Sequence, residues 1–292
     1  MDKSKVLGGM WAAALVCTGS FVSTVQADVF YGVTSSKLVR MDTTAQTVTT
    51  VASIMGGPSA LDSFADCEFD GAGNLWGLRQ KNGGLFESPV NQALKINLVS
   101  GAALLGGDFG SVAMHSLAWR NSAENFYSVN FTGSFPLLGS GNLVTVDTAT
   151  GAIASVSGAG HGLPGSFRVD ALALGPGGTL YGMWNAGNEF MGTIDYKLVR
   201  FDTTSGAGTV IGTVSGSRQF NSLRFSASGT AYTVDSATGD VFTVNLTTGQ
   251  GTFAFAGGSA AVGITGLALQ VPGPASAGML AIAGLTALRR RR

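Results

Sequence analysis

Three short motifs, each written five times, constrain this chain more than any other feature. The first is an alternating strand that runs into Asp or Asn and a polar turn: "LVRMDTT" at Leu38–Thr44, "ALKINLVSG" at Ala93–Gly101, "LVTVDTATG" at Leu143–Gly151, "LVRFDTT" at Leu198–Thr204 and "VFTVNLTTG" at Val241–Gly249. Alternation followed by a turn signal, with Thr and Val on the far side, marks a hairpin. The second motif reads "FADCEF", "MHSLAW", "VDALAL", "FNSLRF" and "ITGLAL", starting at Phe64, Met114, Val169, Phe220 and Ile264. The third is a strand with one aromatic at a fixed place, carried by Tyr31, Trp76, Tyr127, Tyr181 and Tyr232. Four-stranded units repeated roughly every 43 to 56 residues are the blades of a propeller.

The order of the motifs sharpens this. The array begins with an aromatic second strand at Val29 and ends with a first strand at Ile264, so the two ends complete one blade between them. Pairing the ends closes the ring and leaves no open sheet edge at its seam. The expected fold is therefore all-β: a five-bladed β-propeller of four-stranded antiparallel blades, closed by pairing of the N- and C-terminal strands. The alternative is a stack of hairpins that never closes. The five aromatics are expected to pack between blades.

Outside the array lie two segments of different character. Lys3 and Lys5, an apolar run from Val6 to Val16, and small residues at Val25-Gln26-Ala27 form an export signal that ends before Asp28. Cys17 belongs to it, which leaves Cys67 without an intrachain partner. The domain reading is a signal peptide at 1–27, the propeller at 28–270 and a tail at 271–292. Of the 17 basic residues, 11 lie between signal and final arginines, against 16 of the 17 acids. That balance argues against nucleic-acid binding.

The tail reads "VPGPASAGMLAIAGLTALRRRR". Pro272 and Pro274 stop any strand, an apolar stretch runs over 275–288, and Arg289, Arg290, Arg291 and Arg292 close the chain. As a helix the apolar stretch is about 21 Å long, short of a ~30 Å hydrocarbon core, so it would span only a thinned bilayer or with its Pro-rich end in the interface. The arginines would stay cytoplasmic. This stretch resembles the PEP-CTERM sorting signal of bacterial exosortase substrates, with Gly273 where a glutamate is common. The resemblance implies an exosortase-type partner, a transient inner-membrane intermediate, and delivery to the cell surface or extracellular matrix.

Within the ring, one face has uneven connections. "RQKNGGLFESPVNQ", "NFTGSFPLLGSGN" and "WNAGNEFMGTIDYK" are long and come from consecutive blades, and function tends to sit on long loops held by a rigid frame. Phe86, Phe131, Phe135, Leu137, Phe190 and Tyr196 are expected at their tips. The channel mouth on that face is expected to carry Ala65, His115, Asp170, Asn221 and Thr265 from first strands. Second strands add Thr34, Arg79, Asn130, Trp184 and Asp235. A mixed polar ring with one Trp suits a small polar ligand such as a sugar, and Trp184 is the expected stacking platform. A water-lined, unoccupied channel is the other reading.

Other chemistry is sparse. His115 and His161 are not a metal-spaced pair, and no nucleophile elbow or phosphate loop is present. The acidic run Asp62, Asp66, Glu68 and Asp70 could hold Ca²⁺ but lacks the spacing of a calcium loop; charge facing the channel is the alternative. The sequons at Asn130 and Asn245 are read as coincidental. Three functions compete: a surface binding module, with matrix polysaccharide as the candidate ligand; a structural surface protein; and a hydrolase using Asp170 with Asp66 or Asp235.

Overall fold

The computed structural model describes residues 28–55, 63–81, 90–120, 125–134, 138–156, 158, 160–163, 168–187 and 193–270. Its strands form five sheets. In the first blade, β1 (Val29–Val33), β2 (Lys37–Asp42) and β3 (Thr47–Ser53) lie outside a final inner strand. The second blade runs β4 (Ser63–Phe69), β5 (Leu75–Lys81), β6 (Val90–Ile96) and β7 (Ala103–Gly110). The third has a split inner strand, β8 (Ala113–Met114) and β9 (Ala118–Trp119), then β10 (Asn125–Ser134), β11 (Leu138–Asp147) and β12 (Ile153–Ser155). The fourth holds β13 (Val169–Leu174), β14 (Leu180–Asn185), β15 (Asp195–Phe201) and β16 (Gly208–Gly216). The fifth holds β17 (Arg224–Phe225), β18 (Ala231–Val234), β19 (Asp240–Val244) and β20 (Gly251–Ala256). The inner strand that completes the first blade is β21 (Gly266–Leu269), which pairs antiparallel with β1 from Phe30↔Leu269 to Val33↔Gly266.

The closed five-bladed propeller read from the repeats is therefore the fold, and the unclosed stack is excluded. Five apolar clusters hold it, each spanning the boundary between two neighbouring blades. The repeated aromatics lie at these boundaries. Tyr31 meets Phe69 at 6.0 Å, Tyr232 meets Phe30 at 5.6 Å and Tyr181 meets Phe225 at 5.5 Å between ring centroids. Trp76 and Tyr127 belong to the clusters linking the second to the third blade and the third to the fourth.

The first motif is a turn built five times on the same bonds. Asp42, Asn97, Asp147, Asp202 and Asn245 each accept backbone N–H groups from two and three residues on, at 2.8–3.1 Å. A carboxylate that takes such bonds is easier to ionise. Asp42 and Asp202 are both held below the usual range, by the Ala45 and Ser205 N–H groups first of all. The last turn position has positive φ: Gly101, Gly151, Gly206 and Gly249 at 69–80°, and Gln46 at 54° in the first blade. At Gly151 a Cβ would also come within 2.2 Å of the Asp108 carbonyl, so glycine there lets the turn seat against the neighbouring outer strand.

Two of the long connections begin and end as paired strand. The segment expected as a loop at 130–142 continues the β10–β11 hairpin out to Ser134↔Leu138. At 79–92 pairing runs from Arg79↔Gln92 to Lys81↔Val90. In the fourth blade Trp184↔Lys197 and Asn185↔Tyr196 are ladder pairs. Conversely, inner strands break up in the third and fifth blades. There the Ser128 and Thr233 hydroxyls donate to the Ser116 and Ser222 carbonyls, at 2.7 and 2.6 Å, in place of ladder bonds.

Candidate functional site at the channel mouth

The inner strands run from the mouth face to the opposite, turn face. Five equivalent positions pair in register with the five aromatics: Glu68, Ala118, Ala173, Arg224 and Ala268. Three are alanine, one is an acid and one a base. The alanines leave room at the axis, and Arg224 fills it.

From the fifth blade, Arg224 Nη2 donates to the Cys67 carbonyl at 2.6 Å and the Leu117 carbonyl at 2.8 Å, on the second and third blades. Nη1 donates to the carbonyls of Leu172, on the fourth blade, and Leu223. The guanidinium also lies 3.4 Å from Asp66 and 3.2 Å from Glu68. Asp66 in turn accepts the Cys67 and Leu117 N–H groups at 2.8 Å. One side chain thus ties four blades together and floors the channel. Burial pushes Asp66 up to about 8 and Glu68 above the usual range, with Arg224 opposing both.

This arrangement accounts for the acidic run. Asp66 and Glu68 bind Arg224. Asp70 accepts from Ala72 and Asn74 N–H, Asn74 Nδ2 and Trp76 Nε1, at 2.8–2.9 Å, and so organises the β4–β5 turn. Asp62 lies outside the described residues. Among the described residues no group of three His, Cys, Asp or Glu side chains could hold a metal ion.

Toward the mouth, Asp170 and Asn221 are joined through Tyr196, and Asp170 also pairs with Arg168, a residue the sequence reading passed over. Tyr196, expected at a loop tip, is 1% exposed and packs edge-on against Phe220 at 6.2 Å. Its hydroxyl lies 2.5 Å from Asp170 Oδ2 and 2.7 Å from the Asn221 side chain. One phenol proton serves one acceptor. The carboxylate is the stronger acceptor, so the Asn221 amide satisfies the phenol oxygen best by turning its NH₂ toward it.

Arg168 sits 2.5 Å from Asp170 Oδ1. Burial, and then the Arg168 charge, push the His115 imidazole down to about 3, so it is neutral at physiological pH. Gln80 Nε2 lies 3.1 Å from His115 Nδ1 and 3.0 Å from the Met114 carbonyl. The cluster presents acceptors, donors and a neutral imidazole, with Asn221 half-buried at its edge.

The other expected mouth residues are placed differently. Trp184 is 2% exposed, in the cluster between the third and fourth blades, with Lys197 Nζ 5.7 Å from its ring centroid. Because its ring fills that boundary, it offers no open face for stacking. Asp235 accepts from Arg218 at 3.0 Å, Ala237 N–H and Thr238 Oγ1 at 3.1 Å, and Gln219 N–H at 3.3 Å, which makes it the anchor of its own turn. Thr34 Oγ1 accepts the Ser36 and Lys37 N–H groups, and Asn130 Oδ1 accepts the Asn142 N–H. Arg79 is half-buried, in register with Gln92. Thr265 donates its backbone N–H to the Val33 carbonyl at 3.0 Å, and Ala65 sits where the β4–β5 register shifts. Phe86, Phe135, Leu137 and Phe190, and the Phe131 side chain, lie outside the described residues.

No protein-family model matches this chain, and no curated protein matches it. Several solved structures are similar in fold. A nidogen/laminin complex is 9% identical, covering 84% of this chain and 98% of that one, with a TM-score of 0.47. A protein of unknown function from Bacteroides thetaiotaomicron is 14% identical, covering 77% of this chain and 50% of that one, with a TM-score of 0.42. A calcium-binding protein, regucalcin, from Agrobacterium tumefaciens is 14% identical, covering 70% and 63%, with a TM-score of 0.42. Likenesses this distant carry no argument about activity.

Proposed function

We propose that this chain is an exported bacterial surface or extracellular protein whose propeller is a binding module for a neutral polar ligand, of the kind a matrix polysaccharide presents. The observation that carries the reading is the linked set Arg168–Asp170–Tyr196–Asn221 at the mouth. Arg168 and Tyr196 hold Asp170 in place, and Asn221 stands half-buried beside them. Pre-oriented acceptors and donors of this kind suit sugar hydroxyls. Arg168 is matched by Asp170, and Arg218 by Asp235 and Asp240, so the mouth favours an uncharged ligand over an anion.

The hydrolase alternative needs two carboxylates free to act on one bond. Asp66 is held by Arg224 and two N–H groups, and Asp235 by its turn, so neither is placed to serve with Asp170. The signal-like start and the PEP-CTERM-like end support export and sorting by an exosortase-type enzyme. Among the described residues no helix is long and apolar enough to cross a membrane, and both end segments lie outside them.

A glycan-binding screen of residues 28–270 tests the binding reading. Asn221→Ala should weaken any glycan found by about tenfold, the worth of a hydrogen bond or two. A screen without a glycan hit, or an Asn221→Ala affinity equal to wild type, would sink it. Changing Arg289, Arg290, Arg291 and Arg292 to Ser should abolish sorting; unchanged delivery of the processed protein would refute that part.

A further inference from the structure

We propose that one corner of the ring, made by Met55, Val99, Leu104 and Leu105, rests on a lipid surface. The proposal rests on the reading of the C-terminal segment as a membrane anchor. The five turns between third and fourth strands are alike in backbone and in their Asx bonds. Their tips read Thr44, Val99, Ala149, Thr204 and Thr247. Only Val99 is a large apolar side chain, and it is 86% exposed.

Two further leucines follow on the outermost strand of the same blade. Leu104 is 69% exposed, and Leu105 is exposed on the opposite side of the strand. Outer strands are normally protected by charge, proline or cover. Met55, also exposed, is tied to this corner by backbone bonds to Gly101 and Ala103 at 3.0 and 2.8 Å. A depression of about 350 Å³ beside Leu104 is lined by Leu75, Lys95, Ile96, Leu98 and Ala102 among others. Exposed apolar side chains gathered this way mark an interaction surface.

The geometry of the chain's exit selects the occupant. β21 and β6 are the first and third strands of their blades, so they run in the same sense and end on the same face. The described chain leaves the ring on that face at Gln270, whose N–H bonds the Val29 carbonyl. Residues 271–274 then separate it from the apolar stretch at 275–288. Four extended residues reach only about 13 Å. An anchored tail would therefore hold this face against the bilayer interface. Lys95, exposed and in register with Leu104, adds a cation at headgroup level.

The test uses the full chain in a Cys17→Ser background, incorporated into phosphatidylcholine vesicles with brominated acyl chains. A bimane label is placed in turn at Val99→Cys, Leu285→Cys and, on the mouth face, Ser35→Cys. Cys67 is buried and does not compete for label. Labels at 99 and 285 should be quenched and the label at 35 should not. Adding Leu104→Asp and Leu105→Asp should cut quenching at 99 roughly twofold while the melting temperature holds, because both side chains are exposed. Quenching at 285 without quenching at 99 overturns the corner and leaves the anchor standing. Quenching at neither removes the anchor and the corner with it. A label at 99 that is shielded equally without lipid points to a second copy of the chain and overturns the lipid proposal.

Discussion

The five turns on one face and the five inner strands around the axis descend from the same repeat, yet they have diverged to different degrees. The turns are near copies: Asp or Asn first, two N–H bonds to its side chain, positive φ last. The inner strands are not, and where four aromatics face Glu or Ala, Tyr232 faces Arg224. The difference is one of geometry. Each turn serves its own blade and one neighbour, so every copy meets the same demands. The axis is shared by all five blades and has room for one large group, so a single arginine there forces small or acidic partners on the others.

Local repetition predicts that turn changes are mild and that loss of closure is not. A chain starting at Val51 lacks β1, β2 and most of β3, which exposes β21 and strips the apolar boundaries on both sides of the first blade. Cooperative unfolding should be lost and the chain should associate, as read by calorimetry and sedimentation. Next in size, Asp147→Ala removes two turn hydrogen bonds and should cost about 1–2 kcal/mol in denaturant unfolding. Gln46→Gly relieves the one non-glycine in the turn's left-handed position and should stabilise by up to about 1 kcal/mol. A Gln46→Gly chain less stable than wild type would show that this turn differs from the others.

The titrating groups near the axis and mouth make stability depend on pH. Folding raises Asp66 from 3.8 to about 8, so the folded chain holds a proton that the unfolded chain releases, and stability falls as pH rises through that window. Folding lowers His115 from 6.5 to about 3, so stability falls as pH drops through that range. Between about pH 4 and 6.5 the two slopes oppose each other, giving a plateau with a decline on either side. Asp66→Asn should remove most of the alkaline decline in melting temperature and leave the acid side intact. An unchanged alkaline limb would assign that decline to other groups.

How much of this was legible in sequence follows the same division. Blade number, strand order, ring closure and the packing of Tyr31, Trp76, Tyr127, Tyr181 and Tyr232 could be read, because a repeat reports on local structure five times over. The link from Asp170 to Asn221 through Tyr196 could not, because it joins residues on two blades through a strand that hydrophobic patterning read as a loop. Trp184 was misplaced for a related reason: register places it near the mouth, but only packing shows that its ring fills a blade boundary. Arg224 did leave a signal. Aligning the five inner strands puts one base and one acid among three alanines, a pattern that single strands hide.

The central claim is that Arg224 bolts the ring from its middle, and equilibrium unfolding of Arg224→Met tests it most directly. Removing the guanidinium strands the carboxyls of Asp66 and Glu68 and takes a donor away from carbonyls on four blades. The expected loss is about 3–5 kcal/mol, the cost of breaking a buried pair by removing one partner, with partial recovery when Asp66→Asn and Glu68→Gln are added. Stability within about 0.5 kcal/mol of wild type, as for an ordinary surface substitution, would contradict the account.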